Sequence, residues 1–320
     1  MSITSPRIAV ALSTYNGERY LEEQVDSILA QDVSDLRLFV RDDGSTDGTV
    51  ALLRRLERRE DITLLIGKNV GYTRSFLHIV RSIPRSFDYI SFSDQDDIWL
   101  PGKLSRAVSV LRQQDESIPQ LYCAEYEYCD VDLRPKGRSR LNRTGVTFSK
   151  MLYENVTSGN TQVMNRRLAD AINSSDARDA FGHDWWVALV ATALGGLSYD
   201  DFVCLKYRRT GDNASASGTD RLRVLRNRID RFVRGGQLRC VSAMLKKLDA
   251  CFGDQMAPER RKVLKLFLEG SRTRKALAPL RLRQSLRGEL VVRLLFLLGA
   301  LFLDVGLDEL AHDTLAPAGL

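Results

Sequence analysis

Short apolar runs alternate with amphipathic stretches through the first hundred residues. Arg7 to Ser13 is a compact apolar run that reads as a buried strand, broken by Thr14-Tyr15-Asn16-Gly17. Leu21, Val25, Ile28 and Leu29 then recur at helical spacing and predict a first helix packed on a sheet. Leu36 to Val40 reads as a second strand, followed by Asp42-Asp43-Gly44-Ser45-Thr46-Asp47. Thr46 or Asp47 is placed to cap the next helix, whose stripe is Val50, Leu53 and Leu56. Ile62 to Ile66 predicts a third strand. Asn69-Val70-Gly71 turns into a helix carrying Arg74, Phe76, Leu77 and Val80. A fourth run, Tyr89, Ile90 and Phe92, ends abruptly in Asp94-Gln95-Asp96-Asp97.

Strand and helix alternating with crossovers of this length imply parallel strands in a doubly wound α/β sheet. Beyond Pro119 the pattern loosens. Leu121 to Tyr128 suits an antiparallel or mixed strand and Thr161 to Met164 another; Asp184 to Leu194 reads as a helix, with Trp186, Leu189, Val190 and Ala193 inward, and Phe202 to Tyr207 as a last strand. The small polar stretch Thr210 to Gly218 is the best linker, dividing a domain of residues 1–215 from a helical extension of residues 216–320. Within the extension, Leu222, Leu225, Ile229 and Phe232 form one amphipathic stripe. Val241, Leu245 and Leu248 form a second, and Val263, Leu264, Phe267 and Leu268 a third.

Composition narrows the classes. At 320 residues with a net charge of +6, the chain is an ordinary globular one, but basic residues far outnumber acidic ones from Arg221 to Arg293. That asymmetry points the extension toward an anionic partner. Its helices lack interleaved aromatics and any recognisable nucleic-acid module, so no nucleic-acid partner is expected. Leu294 to Leu303 is an uncharged run of ten residues, too short to span a bilayer core of roughly 20 residues. With Arg281, Arg283, Arg287 and Arg293 around its start, it suits an interfacial position on an anionic membrane surface, or else a helix closing a small bundle. Five cysteines without a Cys-x-x-Cys give neither a disulfide framework nor a zinc site, which suits a reducing cytoplasm. No charged-then-apolar leader is seen, so no signal peptide is expected.

The candidate chemistry lies at the strand ends. Open α/β sheets bind ligands at the carboxyl ends of their strands. Asp94 and Asp96, two apart just past a strand, can aim at one hard cation, with Mg²⁺ or Mn²⁺ on a diphosphate the natural guest. In isolation a solvated acidic turn capping the helix near Pro101 is the better explanation of such a pair; the neighbouring strand ends favour the ligand reading. Asp42-Asp43 and Thr14-Tyr15-Asn16 end neighbouring strands on the same sheet edge, giving a crevice suited to a nucleotide. There Asp43 can accept from a pyrimidine N3–H and Asp94 from a ribose or deoxyribose hydroxyl.

Thr14-Tyr15-Asn16-Gly17, Asp42-Asp43-Gly44-Ser45-Thr46-Asp47, Asn69-x-Gly71 and Ser93-Asp94-Gln95-Asp96-Asp97-Ile98-Trp99 resemble the motifs of the family 2 inverting glycosyltransferases, which have the GT-A fold. Asn155-Val156-Thr157-Ser158-Gly159-Asn160-Thr161, His183-Asp184-Trp185-Trp186 and Tyr207-Arg208-x-x-Gly211-x-Asn213 extend the resemblance to the rhamnosyltransferase-like branch that builds bacterial surface polysaccharides. The likeness covers roughly residues 7–215. It implies nucleotide-sugar binding on Thr14, Asn16, Asp43 and Asp94, with the metal on Asp96 and the general base on Asp184. It also implies a dTDP- or UDP-sugar donor, dTDP-L-rhamnose first, and a glycan or lipid-linked acceptor. Arg74 can meet the diphosphate or stay a surface residue.

Inverting transfer needs one carboxylate to take the acceptor proton and a cation on the leaving group. Trp185 and Trp186 beside Asp184 predict a partly desolvated base, with Trp185 offering a face for sugar stacking. Asp184 also suits the N-cap of the following helix. Relatives carry His in the Tyr-Arg-x-His motif; Thr210 stands there in this chain, a poorer ligand for a divalent ion. Two alternatives remain: an inactive fold serving as a membrane-associated partner, and an aspartyl-phosphate phosphatase built on Asp42-Asp43.

Overall fold

The computed structural model describes residues 5–59, 61–142, 144–175, 180–210, 237–283 and 285–297. Its four N-terminal strands are β1 (Arg7–Thr14), β2 (Asp35–Asp42), β3 (Ile62–Ile66) and β4 (Tyr89–Ser93). They lie side by side in the order β3-β2-β1-β4, all parallel. The connecting helices are α1 (Leu21–Leu29), α2 (Thr49–Leu56) and α3 (Tyr72–Ser82), as the periodicity predicts. Three polar strand ends therefore meet on one edge of the sheet.

Alternation along β1 divides the core. Ile8, Val10 and Leu12 face one layer with Leu21, Val25, Ile28 and Leu53, whereas Ala9 and Ala11 face another with Phe76, Phe92, Trp186 and Leu189. The first layer is completed by α4 (Lys103–Leu111). The second is built by α3, α6 (Arg166–Ser174) and α7 (His183–Leu194). Every residue from Trp185 to Ala193 in α7 is buried, as expected of a helix enclosed on all sides.

The sheet continues past β4 with β8 (Val163–Asn165), β6 (Gln120–Cys129), β9 (Gly196–Arg208) and the two-residue β5 (Ile98–Trp99). Strand β6 is mixed, antiparallel to β8 and parallel to β9, and β7 (Pro135–Arg138) pairs on its edge. Strand β9 begins six residues before the expected Phe202, because backbone pairing with β6 holds its polar first half. Thr161 belongs to a 3-10 turn (Gly159–Thr161), so β8 starts only at Val163. Helix α2 starts at Thr49 without a side-chain N-cap; Asp47 accepts from the Thr49 amide at 3.0 Å in an Asx turn one residue earlier. A short α5 (Phe148–Met151) precedes the loop carrying Asn155.

The C-terminal helices α8 (Gln237–Phe252), α9 (Pro258–Glu269), α10 (Arg272–Leu277) and α11 (Leu286–Leu297) share the α7 core through Leu245, Leu248, Phe267 and Phe296. The boundary at 215/216, the linker, the stripe from Leu222 to Phe232 and the end of the apolar run beyond Leu297 lie outside the described residues. Within α11, Val292 and Phe296 point inward as the bundle reading requires, whereas Leu290, Leu294 and Leu297 are about half exposed or more. Arg283 pairs with Glu154, and Arg293 donates to the carbonyls of Ala276, Ala278 and Leu280. These two arginines bind protein, so the expectation of four lipid-facing arginines is reduced to Arg281 and Arg287 in this segment. Among the described residues no helix is long and apolar enough to cross a membrane.

Candidate active site

The acidic loop after β4 is pinned from several sides. Asp97 is fully buried; it accepts from Asn160 Nδ2 at 2.6 Å and from the Arg208 amide at 3.3 Å. Arg208, also buried, donates to the Asp96 carbonyl at 3.0 Å and to Glu23 at 2.5 Å. Gln95 ties this loop to the end of β1, accepting from Thr14 Oγ1 at 2.6 Å and the Tyr15 amide at 2.9 Å. The buried Lys103 donates to the Asn160 carbonyl and lies 3.9 Å over the Trp99 ring. Asp94 and Asp96 are thereby left half-buried at the lip of the sheet.

Asp184 arrives from the other side, as the second residue of α7. Its Oδ2 accepts from Asn155 Nδ2 at 2.7 Å and its Oδ1 from the Trp185 amide at 2.8 Å. It is thus not the N-cap, a position held by Gly182, although it does satisfy one orphan amide of the first turn. Gly182 has φ +86°, and a Cβ there would sit 3.1 Å from Asp184 Oδ1. The position therefore suits glycine on both counts.

Electrostatics bind the cluster together. The Asp94 carboxyl is pushed up to about 7, chiefly by burial, then by the charges of Asp96 and Asp184, with Lys103 opposing. Burial also raises the Asp96 carboxyl, against the pull of Arg208. The Tyr72 phenol on the first turn of α3 is raised by partial desolvation, with Thr73 opposing, and further by the charges of Asp184 and Asp94. The charges of Asp96 and Asp184 both bear on Asp94, so the loop after β4 and the start of α7 are electrostatically linked.

This is an environment suited to a hard divalent cation. Among the described residues no group of three His, Cys, Asp or Glu side chains is placed to hold a metal ion. Mg²⁺ characteristically takes only one or two protein carboxylates and completes its shell with phosphate and water, and Mn²⁺ likewise favours oxygen donors. Asp96, with Asp94 beside it, fits that demand.

The remaining expected residues have specific partners. Asp43 is buried and accepts from the Val70 and Gly71 amides at 2.9 Å each and from Arg41, which occupies three of the about four acceptor positions of a carboxylate. Asn16, in a left-handed turn with φ 50°, accepts from the Thr46 amide at 2.9 Å. The Thr14 hydroxyl is spent on Gln95. Arg74 is exposed on the first turn of α3, the turn that also carries Tyr72.

Trp185 corrects the expectation. It is 4% exposed and donates from Nε1 to the Met151 carbonyl at 2.7 Å, so its ring packs in the core and offers no face to a sugar. Adjacent residues in a helix point about 100° apart, so a carboxylate facing the crevice turns its neighbour inward. Trp186 is fully buried too. The phosphatase alternative also fails on geometry. Asp42 is fully buried and accepts from the Gly44 and Ser45 amides and from Ser45 Oγ, leaving no open nucleophile.

His183 is buried among Phe76, Phe92 and Tyr72, stacked on Phe76 with centroids 3.9 Å apart. Burial drops its imidazole to about 4, with the neighbouring Asp184 charge opposing. The folded state then holds fewer protons than the unfolded state between about pH 4 and 6.5, so stability is lost as pH falls through that window. At about 1.4 kcal/mol per unit, the loss approaches roughly 3 kcal/mol. The raised Asp94 has the opposite slope nearby, so the comparison needed is wild type against His183→Phe. Chemical denaturation from pH 4 to 7 should show a shallower acid loss in the variant; parallel curves would mean that His183 ionises normally.

The glycosyl transferase family 2 model matches residues 9–172, about half of the chain. Among curated proteins, the chain is similar to the dTDP-rhamnosyl transferase RfbG of Shigella flexneri, with 29% identity over 189 residues. That match covers 55% of this chain and 63% of RfbG. It is also 24% identical over 213 residues to the uncharacterized glycosyltransferase RP339 of Rickettsia prowazekii, covering 65% of each. The chain therefore spans just under two thirds of the length of these relatives. Among solved structures, Staphylococcus aureus TarS 1–349 in complex with UDP-GlcNAc aligns with a TM-score of 0.57 at 16% identity, covering 92% of this chain and 82% of that one. The mannosyltransferase PcManGT of Pyrobaculum calidifontis, in complex with GDP-Man and Mn²⁺, aligns at 0.53 and 19% identity, covering 93% and 76%. The fold is thus the GT-A type.

Proposed function

This chain belongs to glycosyl transferase family 2, and we propose that it moves one sugar from a nucleoside diphosphate donor to an acceptor hydroxyl in a single inverting displacement. What carries this reading is the acidic loop Asp94 to Asp97 directly after β4, at the carboxyl edge of the parallel strands, with the charge of Asp184 bearing on Asp94. In the proposed reaction Asp184 takes the proton of the acceptor hydroxyl as its oxygen forms a bond to the anomeric carbon. The bond from that carbon to the diphosphate oxygen breaks, and its electron pair leaves with the nucleoside diphosphate. Mg²⁺ or Mn²⁺ held by Asp96 and Asp94 would supply positive charge for that leaving group. Asp94 is also proposed to accept from a ribose hydroxyl, and the strand-end residues Thr14, Asn16 and Asp43 to shape the pocket for the base.

The similarity to RfbG supports dTDP-L-rhamnose as the donor, with a UDP-sugar as the second choice, and a glycan or lipid-linked acceptor in surface-polysaccharide synthesis. The test is release of nucleoside diphosphate from dTDP-L-rhamnose, UDP-GlcNAc and GDP-mannose with Mn²⁺. Preference for the first is expected; thermal shift and turnover absent with all three would overturn the reading. A donor at 100 times its Kd adds about 2.7 kcal/mol of stability, which a melting experiment resolves.

A cytoplasmic enzyme with a lipid-linked acceptor works at the inner face of the membrane. For that peripheral contact we propose the exposed side of α10 and α11. Leu286, Leu290, Leu294 and Leu297 form an exposed stripe there, and Arg272, Arg274, Arg281 and Arg287 are exposed around it. Each such base adds about 1 kcal/mol at an anionic surface, screened by salt. The full chain should float with phosphatidylglycerol-containing vesicles at low salt and less at high salt. Leu290→Ser with Leu294→Ser should abolish flotation. If the wild type stays in the soluble fraction at low salt, the surface is not a lipid contact.

A further inference from the structure

We infer that Asn155 is a positioning residue that fixes the carboxylate of Asp184 for proton abstraction, an inference that rests on Asp184 being the base. Asn155 lies on the loop after α5, far from Asp184 in sequence, and its Nδ2 donates to Asp184 Oδ2 at 2.7 Å. The amide cannot turn over without losing partners. Its Oδ1 accepts from the Thr157 amide at 3.0 Å and from Thr157 Oγ1 at 2.7 Å, which leaves Nδ2 as the atom facing Asp184. Thr157 is buried, and its hydroxyl in turn accepts from Gln162 Nε2 at 2.9 Å. The same Gln162 nitrogen lies 3.0 Å from the Asp184 carbonyl. Donors and acceptors therefore run in one consistent direction, from Gln162 through Thr157 and Asn155 to the carboxylate.

Asp184 needs such a tether. It stands in the first turn of α7, half-buried, and its charge meets that of Asp94 across the crevice. Like charges push an untethered carboxylate toward solvent, away from a bound acceptor. The loop that carries the tether also packs directly on the base: a Cβ added at Gly159 would lie 3.0 Å from the Asp184 Cβ. A neutral amide donor in this place holds one carboxylate oxygen while adding no charge that would compete for a cation.

The test is a double-mutant cycle in the full chain, using Asn155→Ala, Asp184→Asn and their combination. Alone, Asn155→Ala should lower kcat by roughly 10–100-fold, the scale of a misplaced reacting group, with the donor KM within twofold of wild type. In the Asp184→Asn background it should cost nothing further, because there is no base left to orient. Melting temperature and donor-induced thermal shift report whether each variant is folded. Asn155→Asp, which keeps the shape and the Thr157 bonds but replaces the donor with an acceptor, should lose at least as much kcat as the alanine variant. Wild-type kcat in Asn155→Ala, or a full additional loss on top of Asp184→Asn, overturns the role of Asn155 while sparing that of Asp184. An active Asp184→Asn enzyme overturns the assignment of the base and, with it, the reason for the tether.

Discussion

Asp184→Asn is expected to lower turnover by roughly 10²–10⁴-fold, the usual contribution of one general base, while donor affinity stays near wild type. The substitution keeps the size of the side chain and its place in the first turn of α7. It removes the charge that the acceptor proton needs. Asparagine can still accept from the Trp185 amide or from Asn155, so the helix start loses little. In the proposed reaction the donor diphosphate is met by a cation on Asp96 and Asp94 and not by Asp184, which is why kcat and donor KM should separate. A loss smaller than tenfold at saturating donor would make Asp184 a helix-start residue and put the base elsewhere.

The second large effect is expected at Asp96. Asp96→Asn should abolish transfer and remove the metal-dependent part of donor binding, with the fold intact. The Arg208 guanidinium donates to the Asp96 carbonyl, a backbone contact that the substitution leaves in place. What disappears is one of the hard oxygen donors that a divalent ion requires. Full activity in this variant, or in the wild type with excess chelator, would remove the cation from the mechanism.

Much of this site is legible in the sequence because its residues terminate strands whose apolar runs are unmistakable. Arg7–Thr14, Asp35–Asp42 and Tyr89–Ser93 each hold a short apolar run that ends in a polar turn, and parallel order brings their ends together. Where packing does not write a periodic pattern, the sequence is silent. Strand β7 has all four residues exposed and exists through its pairing with β6. The first half of β9 is polar for the same reason.

Direction is harder to read than position. His183-Asp184-Trp185-Trp186 marks a functional segment, yet adjacency alone does not say that the carboxylate faces the crevice while both indoles enter the core. Asn155, Gln95 and Lys103 escaped notice as working parts because their value lies in hydrogen bonds between segments 29 to 81 residues apart, to Asp184, to Thr14 and to Asn160. Each sits inside or beside a motif, which was the available signal. Thr210 ends the described part of β9's exit, and the cation reading accordingly leans on Asp96 and Asp94.

The most direct measurement is calorimetric titration of a nucleoside diphosphate into the wild-type chain, once with Mn²⁺ and once with excess chelator. dTDP is the first ligand and UDP the second. One site per chain is predicted with Mn²⁺, weakened at least about tenfold by the chelator, a difference of about 1.4 kcal/mol. Binding that is unchanged by the chelator, or no binding of either nucleotide, would contradict a diphosphate held through a cation at Asp96.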